Sequence, residues 1–498
     1  MKSETENKLR DFFTDSVVYK DLRNTAFFAT LGCPSFMRDW LLGRFCSGEP
    51  SEDELNSIET FVKEHVPRRE QWTAIKSRII KDFERVKILA KISVNIDVST
   101  GVVAFSLPDY GLTARETIIE DDEWHEFKDE LVGGREVWGM LELGYRAPDD
   151  SCRPKKSGKI KLNRFMTFCP YEISLDAYRE ARRHFTVDEW YDVLLGAVDY
   201  NSDGYRTDDY SKETMLTRLL PFVEKRLNLI ELAPKGTGKS YLYGRVSRFG
   251  WLSSGGVMSR AKMFYDIGKK EEGLVSGHDF IVLDEVQTIS FADVDEMRAA
   301  MKGYMESGVF SVGNHQGQAD AGVLLSGNIS QKKMRDEGGG NKFEELPTVF
   351  HESALIDRFH GFIMGWKIPR MTNDLKICGW GLNSEYFTTI MHELRNDGAY
   401  RNVIDQVVKT TSEKADTRDT EAVKRLTTAF LKLFYPHIVS AEQVVDDKTN
   451  DLDQISSREF YRNCLEPARK MRMTILEQLG ILDAEYSRRN MPEFTVER

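Results

Sequence analysis

Residues 226–248, RLNLIELAPKGTGKSYLYGRVSR, constrain this chain more than any other segment. An apolar run ends at Leu232, a glycine-bearing loop follows through Gly238, and a helix is predicted to open at Lys239. Gly236 and Gly238 free the backbone to turn successive N–H groups inward, which is how a loop cradles a phosphate. The amino end of the helix adds its positive dipole. Pro234, Lys235, Gly236, Thr237 and Gly238 then line the phosphates, and Tyr241 closes the same segment. Lys239 reaches the β- and γ-phosphates, and the Ser240 hydroxyl holds Mg²⁺. Ala233 stands where this pattern usually has its first glycine, a position that tolerates a small residue. In DFIVLDEVQTI, 45 residues after Lys239, a short buried strand ends at Asp284 and Glu285. Asp284 is placed to hold Mg²⁺ through water and Glu285 to polarise the attacking water. The pair implies ATP binding and hydrolysis.

Composition removes competing classes. The 498 residues suggest three domains, or four, and 41% hydrophobic with 30% charged residues describe a soluble globular protein. No apolar stretch approaches the ~18 residues of a membrane helix. The start, MKSETENKLRDFF, is charged and lacks the apolar core of a secretion signal. Cys33, Cys46, Cys152, Cys169, Cys378 and Cys464 form no CxxC pair, which fits a reducing, cytoplasmic setting. A net charge of −11 requires any nucleic-acid contact to use a local basic surface.

The expected class is α/β: a P-loop NTPase core with a helical lid, preceded by a helical and then β-rich N-terminal region. Residues 1–92 are read as helical, with Ser51 and Glu54 as a capping box and Trp72, Ile75, Ile79, Ile80 and Phe83 on one helix face. Residues 93–200 hold a β-rich module and connecting helices, 201–370 the ATPase core, and 371–498 the lid and terminal helices. The polar stretch 201–212 is the candidate linker between the halves.

Three further residues take meaning from their order. AGVLLSGNIS ends a strand at Asn328, LIDRFHGFIMGWKIP carries Arg358, and RDTEAVKRLTTAFLKLFYP opens at Arg418. This order resembles AAA+ ATPases of the MCM group. There the polar strand tip orients the lytic water, the arginine finger acts on a neighbouring subunit's γ-phosphate, and the lid arginine is a second sensor. APKGTGKSYLYGRVS, WLSSGGVMSRAKMFYD, DFIVLDEVQTISFAD, GYMESGVFSVGNHQGQADAGVLLSGNI and LIDRFHGFIMGWKIP are similar to the BrxL family, the Lon-related AAA+ proteins of BREX phage-defence systems.

The resemblance implies an MCM-like core in a homo-oligomeric, hexameric ring, single or paired, around double-stranded DNA, alongside other phage-defence proteins and with no membrane. It assigns nucleotide roles to Lys239, Ser240, Asp284, Glu285, Asn328, Arg358 and Arg418. Longer members continue into a Lon-like Ser–Lys domain. With the chain ending in EFTVER, protease activity is not expected.

For DNA, residues 63–91 carry nine basic against four acidic groups, including Arg68, Arg69, Lys76 and Arg78. The loop at 148–161 adds Lys155, Lys156, Lys159 and Lys161. Such clusters give salt-sensitive phosphate contacts, though a solvated helix face carries the same charges. The hairpin expected at 309–321 offers His315 but no Lys or Arg, which weakens the case for strong translocation. Arg260 and Lys262 are further pore candidates. Two alternatives stand beside the DNA ring. One is an ATP-dependent protein-remodelling unfoldase, with Phe310 as its one obvious pore aromatic. The other is a nucleotide-stabilised DNA-bound scaffold with little turnover.

Overall fold

The computed structural model describes residues 3–23, 26–31, 33–131, 137–151, 157–167, 171–205, 212–268, 270–330, 333–334, 340–410, 415–446, 449 and 451–497. They form two compact units, a larger one from 1–25, 34–39 and 172–498, and a smaller one from 26–33 and 40–171. No helix among the described residues is long and apolar enough to cross a membrane.

In the smaller unit, helix Glu52–His65 opens on the expected capping box, the Glu54 carboxylate accepting the Ser51 N–H at 2.8 Å. Helix Trp72–Lys81 buries Trp72, Ile75 and Ile79 as its periodicity requires. It does not continue to residue 92. Phe83 turns to φ +55° and is 64% exposed, off the predicted face, and a strand starts at Val86. Val86, Ile88, Ala90 and Ile92 point inward at a spacing of two, and the buried Leu89 between them blurs that period into a helical one.

The strands of this unit are β1 (Val86–Ile96), β2 (Val103–Ser106), β3 (Thr117–Ile118), β4 (Val137–Arg146) and β5 (Lys159–Thr167). Their order is β2-β1-β4-β5-β3, antiparallel except for the parallel β3–β5 pair. The Ile119 N–H to Val103 carbonyl bond of 2.9 Å joins the two edges, so the sheet closes into a barrel. Helix α1 (Asp121–Leu131), between β3 and β4, contributes Phe127 and Leu131 to the core. Five strands in this Greek-key order, with a helix between the third and fourth, make an OB fold.

The larger unit is built on a parallel sheet. Its strands are β6 (Leu229–Ala233), β7 (Gly250–Met258), β8 (Phe280–Phe291), β9 (Gly322–Asn328) and β10 (Gly361–Met364), in the order β10-β6-β9-β8-β7. Every neighbouring pair is parallel. A parallel sheet covered on both faces needs apolar residues in succession, and β6 is buried throughout. Helices α2 (Lys239–Arg245) and α3 (Val294–Ser307) follow β6 and β8. Helices α4 (Thr417–Phe434) and α5 (Glu466–Leu482) supply the expected helical region, α5 packing on β10. Strand Val17–Asp21 pairs antiparallel with Cys378–Leu382, so the first residues pack with this unit. The described part of the candidate linker is packed, not extended: Tyr205 is 2% exposed.

Candidate nucleotide site

The loop between β6 and α2 folds as its glycines require. Gly236 and Gly238 take φ +81° and +82°, values open to glycine at no steric cost. A Cβ at Gly238 would lie 2.4 Å from the Tyr200 hydroxyl, so close approach fixes this position a second time. The loop is held on both sides: Met371 N–H donates to the Gly236 carbonyl at 2.8 Å, and Tyr200 donates to the Gly238 carbonyl at 3.3 Å.

Beneath it lies a pair that the motif did not reveal. Arg218, fully buried, meets Glu231 of β6 at 2.5 Å and donates to the Thr237 carbonyl at 2.7 Å and hydroxyl at 3.0 Å. Burial works against the Arg218 charge, and Glu231 outweighs it and raises the pKa. The signal in the sequence was Glu231 itself, an acid inside a run of apolar strand residues, where an unpaired charge is not tolerated.

The strand expected to end at Asp284 and Glu285 runs on to Phe291, past a register break, and the predicted groups meet at that break. Ser240 donates to one oxygen of Asp284 at 2.5 Å, and Ser326 of β9 donates to the other at 2.8 Å. Asp284 is 2% exposed and Glu285 beside it is exposed at φ +48°. The β7–β8 register breaks between Asp284 and Ile289, a bulge of the kind that re-aims side chains at functional sites. Asn328 pairs in register with Ala233, at the mouth of the loop. The Gln287 side chain donates to the Asn328 carbonyl at 2.7 Å. Lys239 is 8% exposed, and burial lowers its pKa below the ordinary lysine value, so its ammonium draws further negative charge. Pro234 is half-buried, Lys235 and Gly236 are exposed, and Thr237 is buried over Arg218. Tyr241 faces away from the loop: its hydroxyl donates to Asp199 at 2.6 Å and lies 2.9 Å from that of Ser35. The buried Asp199 in turn pairs with Arg38 at 2.7 Å and Lys20 at 3.2 Å.

Arg358 and Arg418 are not at this end. β10 starts at Gly361, paired with Leu229, so Arg358 lies before the amino ends of the strands. The length of β6, about 13 Å at 3.3 Å per residue, separates it from the loop. Arg418 joins it there. Arg358 Nε lies 3.0 Å and Arg418 Nη2 3.4 Å from the same oxygen of Glu306, and Arg418 also donates to Asp357 at 3.0 Å. Asp357, with no side-chain exposure, is shared with Arg472 at 2.6 Å and with Arg489 at 3.5 Å.

The DNA candidates scatter. Arg68 and Arg69 are exposed and carry no ion pair among the described residues. Lys76 lies 4.0 Å from Glu116, Arg78 is paired with Glu84, and Lys161 lies 3.3 Å from Glu123. Lys159 donates to the Arg115 carbonyl. Lys155 and Lys156 lie outside the described residues. His315 sits on the expected hairpin, stacked on Tyr265 at 3.7 Å and 3.1 Å from Glu272. Arg260 pairs with Glu296 at 2.7 Å. Phe310 is 3% exposed, against Phe264 and Tyr304, and so is not a pore aromatic.

A parallel sheet with a phosphate loop after β6, Asp-Glu at the register break within β8 and Asn at the tip of β9 defines an AAA+ type P-loop ATPase domain. Residues 160–492 match the model of the ATPase domain of "Lon-like protease BrxL-like" proteins, and residues 11–145 that of the "BREX system Lon protease-like protein BrxL N-terminal" region. The chain belongs to the BrxL family. It is 29% identical over 477 residues to the "Lon-like protease BrxL" of Escherichia coli O9:H4 (strain HS), covering 95% of this chain and 64% of that protein. To the protein of the same name from Bacillus cereus (strain H3081.97) it is 28% identical over 434 residues, covering 86% of this chain and 62% of the relative. The chain thus spans less than two thirds of these relatives' length.

Proposed function

We propose that this chain is a Mg²⁺-dependent ATPase of a BREX-type defence system that works as a ring around double-stranded DNA in the cytoplasm. The observation that carries the reading is the division of the ATP machinery between two ends of one sheet. Lys239, Ser240, Asp284, Glu285 and Asn328 gather at the carboxyl end, while Arg358 and Arg418 sit together at the amino end. A subunit so built binds its own nucleotide but completes a second copy's site, as an arginine finger does. Closed rings follow when such head-to-tail contacts close, and six subunits is the number that the family resemblance implies.

The oxygen donors Ser240 and Asp284 suit Mg²⁺, a hard cation that takes oxygen ligands together with substrate phosphates. Bound there, it would neutralise charge on the β- and γ-phosphates. Asp284, fixed by Ser240 and Ser326, holds its orientation for that role. Glu285, on its bulge, activates water, with Asn328 beside the loop to orient it.

DNA contact is assigned to the OB barrel, whose fold binds nucleic acid through the loops between strands one and two and between strands four and five. The second of these is the basic segment that ends at Lys159 and Lys161. Arg68 and Arg69 add exposed charge on the same unit.

The test is ATP turnover against protein concentration, with and without long double-stranded DNA, at two salt concentrations. Turnover per subunit that rises with concentration, and DNA stimulation lost at high salt, are expected. Turnover independent of concentration overturns the ring, and turnover indifferent to DNA turns the reading toward a protein substrate.

A further inference from the structure

Glu306 occupies an unfavourable place. It is the second-last residue of α3, whose last turn holds no basic residue, so its carboxylate faces the negative end of the helix dipole. What offsets this is the arginine pair: one oxygen, Glu306 Oε2, lies 3.0 Å from Arg358 Nε and 3.4 Å from Arg418 Nη2. A single oxygen shared by two guanidinium groups is the arrangement a terminal phosphate oxygen takes between two arginines. The two arginines also have different backing. Arg418 rests on Asp357, a carboxylate buried and locked by Arg472. Arg358 is anchored through the Ala354 carbonyl of its own chain. Both therefore stay in place when Glu306 leaves, and Glu306, with its side chain half exposed, has solvent to move into.

We infer that Glu306 is a resident counter-anion: it fills the seat between Arg358 and Arg418 that the terminal phosphate of a second copy's nucleotide takes. The inference rests on the ring reading above and adds a regulation to it. Joining of subunits exchanges a carboxylate for the more highly charged phosphate at this seat, so assembly favours the ATP state over the ADP state. Glu306 competes with every incoming nucleotide and raises the subunit concentration that assembly needs.

The test compares the full chain with Glu306→Gln, which keeps the shape and removes the charge. Two readouts are taken: the protein concentration for half-maximal turnover, and sedimentation in saturating ATPγS, in ADP and without nucleotide. Glu306→Gln is expected to lower the half-maximal concentration about two- to fivefold, the range set by a half-exposed ion pair. The same shift is expected in ATPγS sedimentation, none without nucleotide, and none when Arg358→Ala and Arg418→Ala are both present. A value unchanged or raised in Glu306→Gln, with wild type assembling normally, overturns the inference alone; a raised value makes Glu306 a support for the arginines. A wild type that never assembles overturns the ring reading and the inference with it. Equal thermal unfolding of the two proteins checks that the exchange leaves the fold intact.

Discussion

The two ends of the parallel sheet in the larger unit are built by opposite means. At the carboxyl end the framework is backbone, two glycines at positive φ and a helix terminus, with the buried Arg218–Glu231 side-chain pair holding Thr237 from beneath. At the amino end, side-chain charges do it, with Arg358, Arg418, Arg472 and Arg489 distributed over Glu306, Asp357 and Asp419. The groups of the first end that would hold a nucleotide all come from one chain. The second presents two partly exposed arginines whose own phosphate loop lies a strand's length away, which makes sense for a surface meant to serve another copy.

The sharpest way to break this comparison is to remove one residue from each end. Lys239→Ala at the carboxyl end is expected to abolish ATP binding, and with it turnover, as equilibrium binding of a fluorescent ATP analogue will show. Arg358→Ala at the amino end should leave that binding within about twofold and lower kcat by about 10³ or more, the worth of an arginine finger. Normal turnover in this variant removes the inter-subunit model. Next in size is stability. Arg218→Met leaves Glu231 buried without its partner and should cost about 3–5 kcal/mol in denaturant unfolding, while Arg218→Met with Glu231→Leu recovers most of the loss.

Acid should reach the amino end. His360, beside Asn228, accepts that residue's N–H at 3.0 Å. Burial, and then Arg425 and Arg472, hold its pKa well below 6.5. Because the folded value is depressed, the stability it contributes is complete above pH 6.5 and declines as pH falls toward the folded value, by about 1.4 kcal/mol per pH unit. A His360→Gln variant should flatten that part of the stability profile. The smallest effect concerns the barrel unit: Arg68→Ala with Arg69→Ala should reduce the salt slope of DNA affinity by about 1–2, whereas Arg78→Ala, already neutralised by Glu84, should leave it nearly unchanged.

The nucleotide loop, Asp284, Glu285 and Asn328 were legible because each directly follows a short apolar run of the parallel sheet, where local order in sequence dictates position in space. The OB barrel was legible only as alternation and turns. Its closure depends on the Val103–Ile119 pairing and on β3 meeting β5, contacts that no local pattern encodes. Periodicity alone extends helix Trp72–Lys81 too far, because Leu89 interrupts the period of two that marks β1.

By itself, then, the sequence determined the phosphate loop, the acidic pair after the apolar run of β8, the order of the later polar residues and the kinship with BrxL proteins. These depend on backbone conformations that few residue types permit, and on spacing along one strand or helix. Only the tertiary structure decided that Arg218 clamps Thr237, that Tyr241 turns to Asp199, that Phe310 is core, and that Glu306 bridges two arginines 60 residues apart (Arg358 and Arg418). The physical reason is common to all four. Each is an interaction between side chains remote in sequence, whose energy depends on burial and on a partner that the fold alone brings within reach.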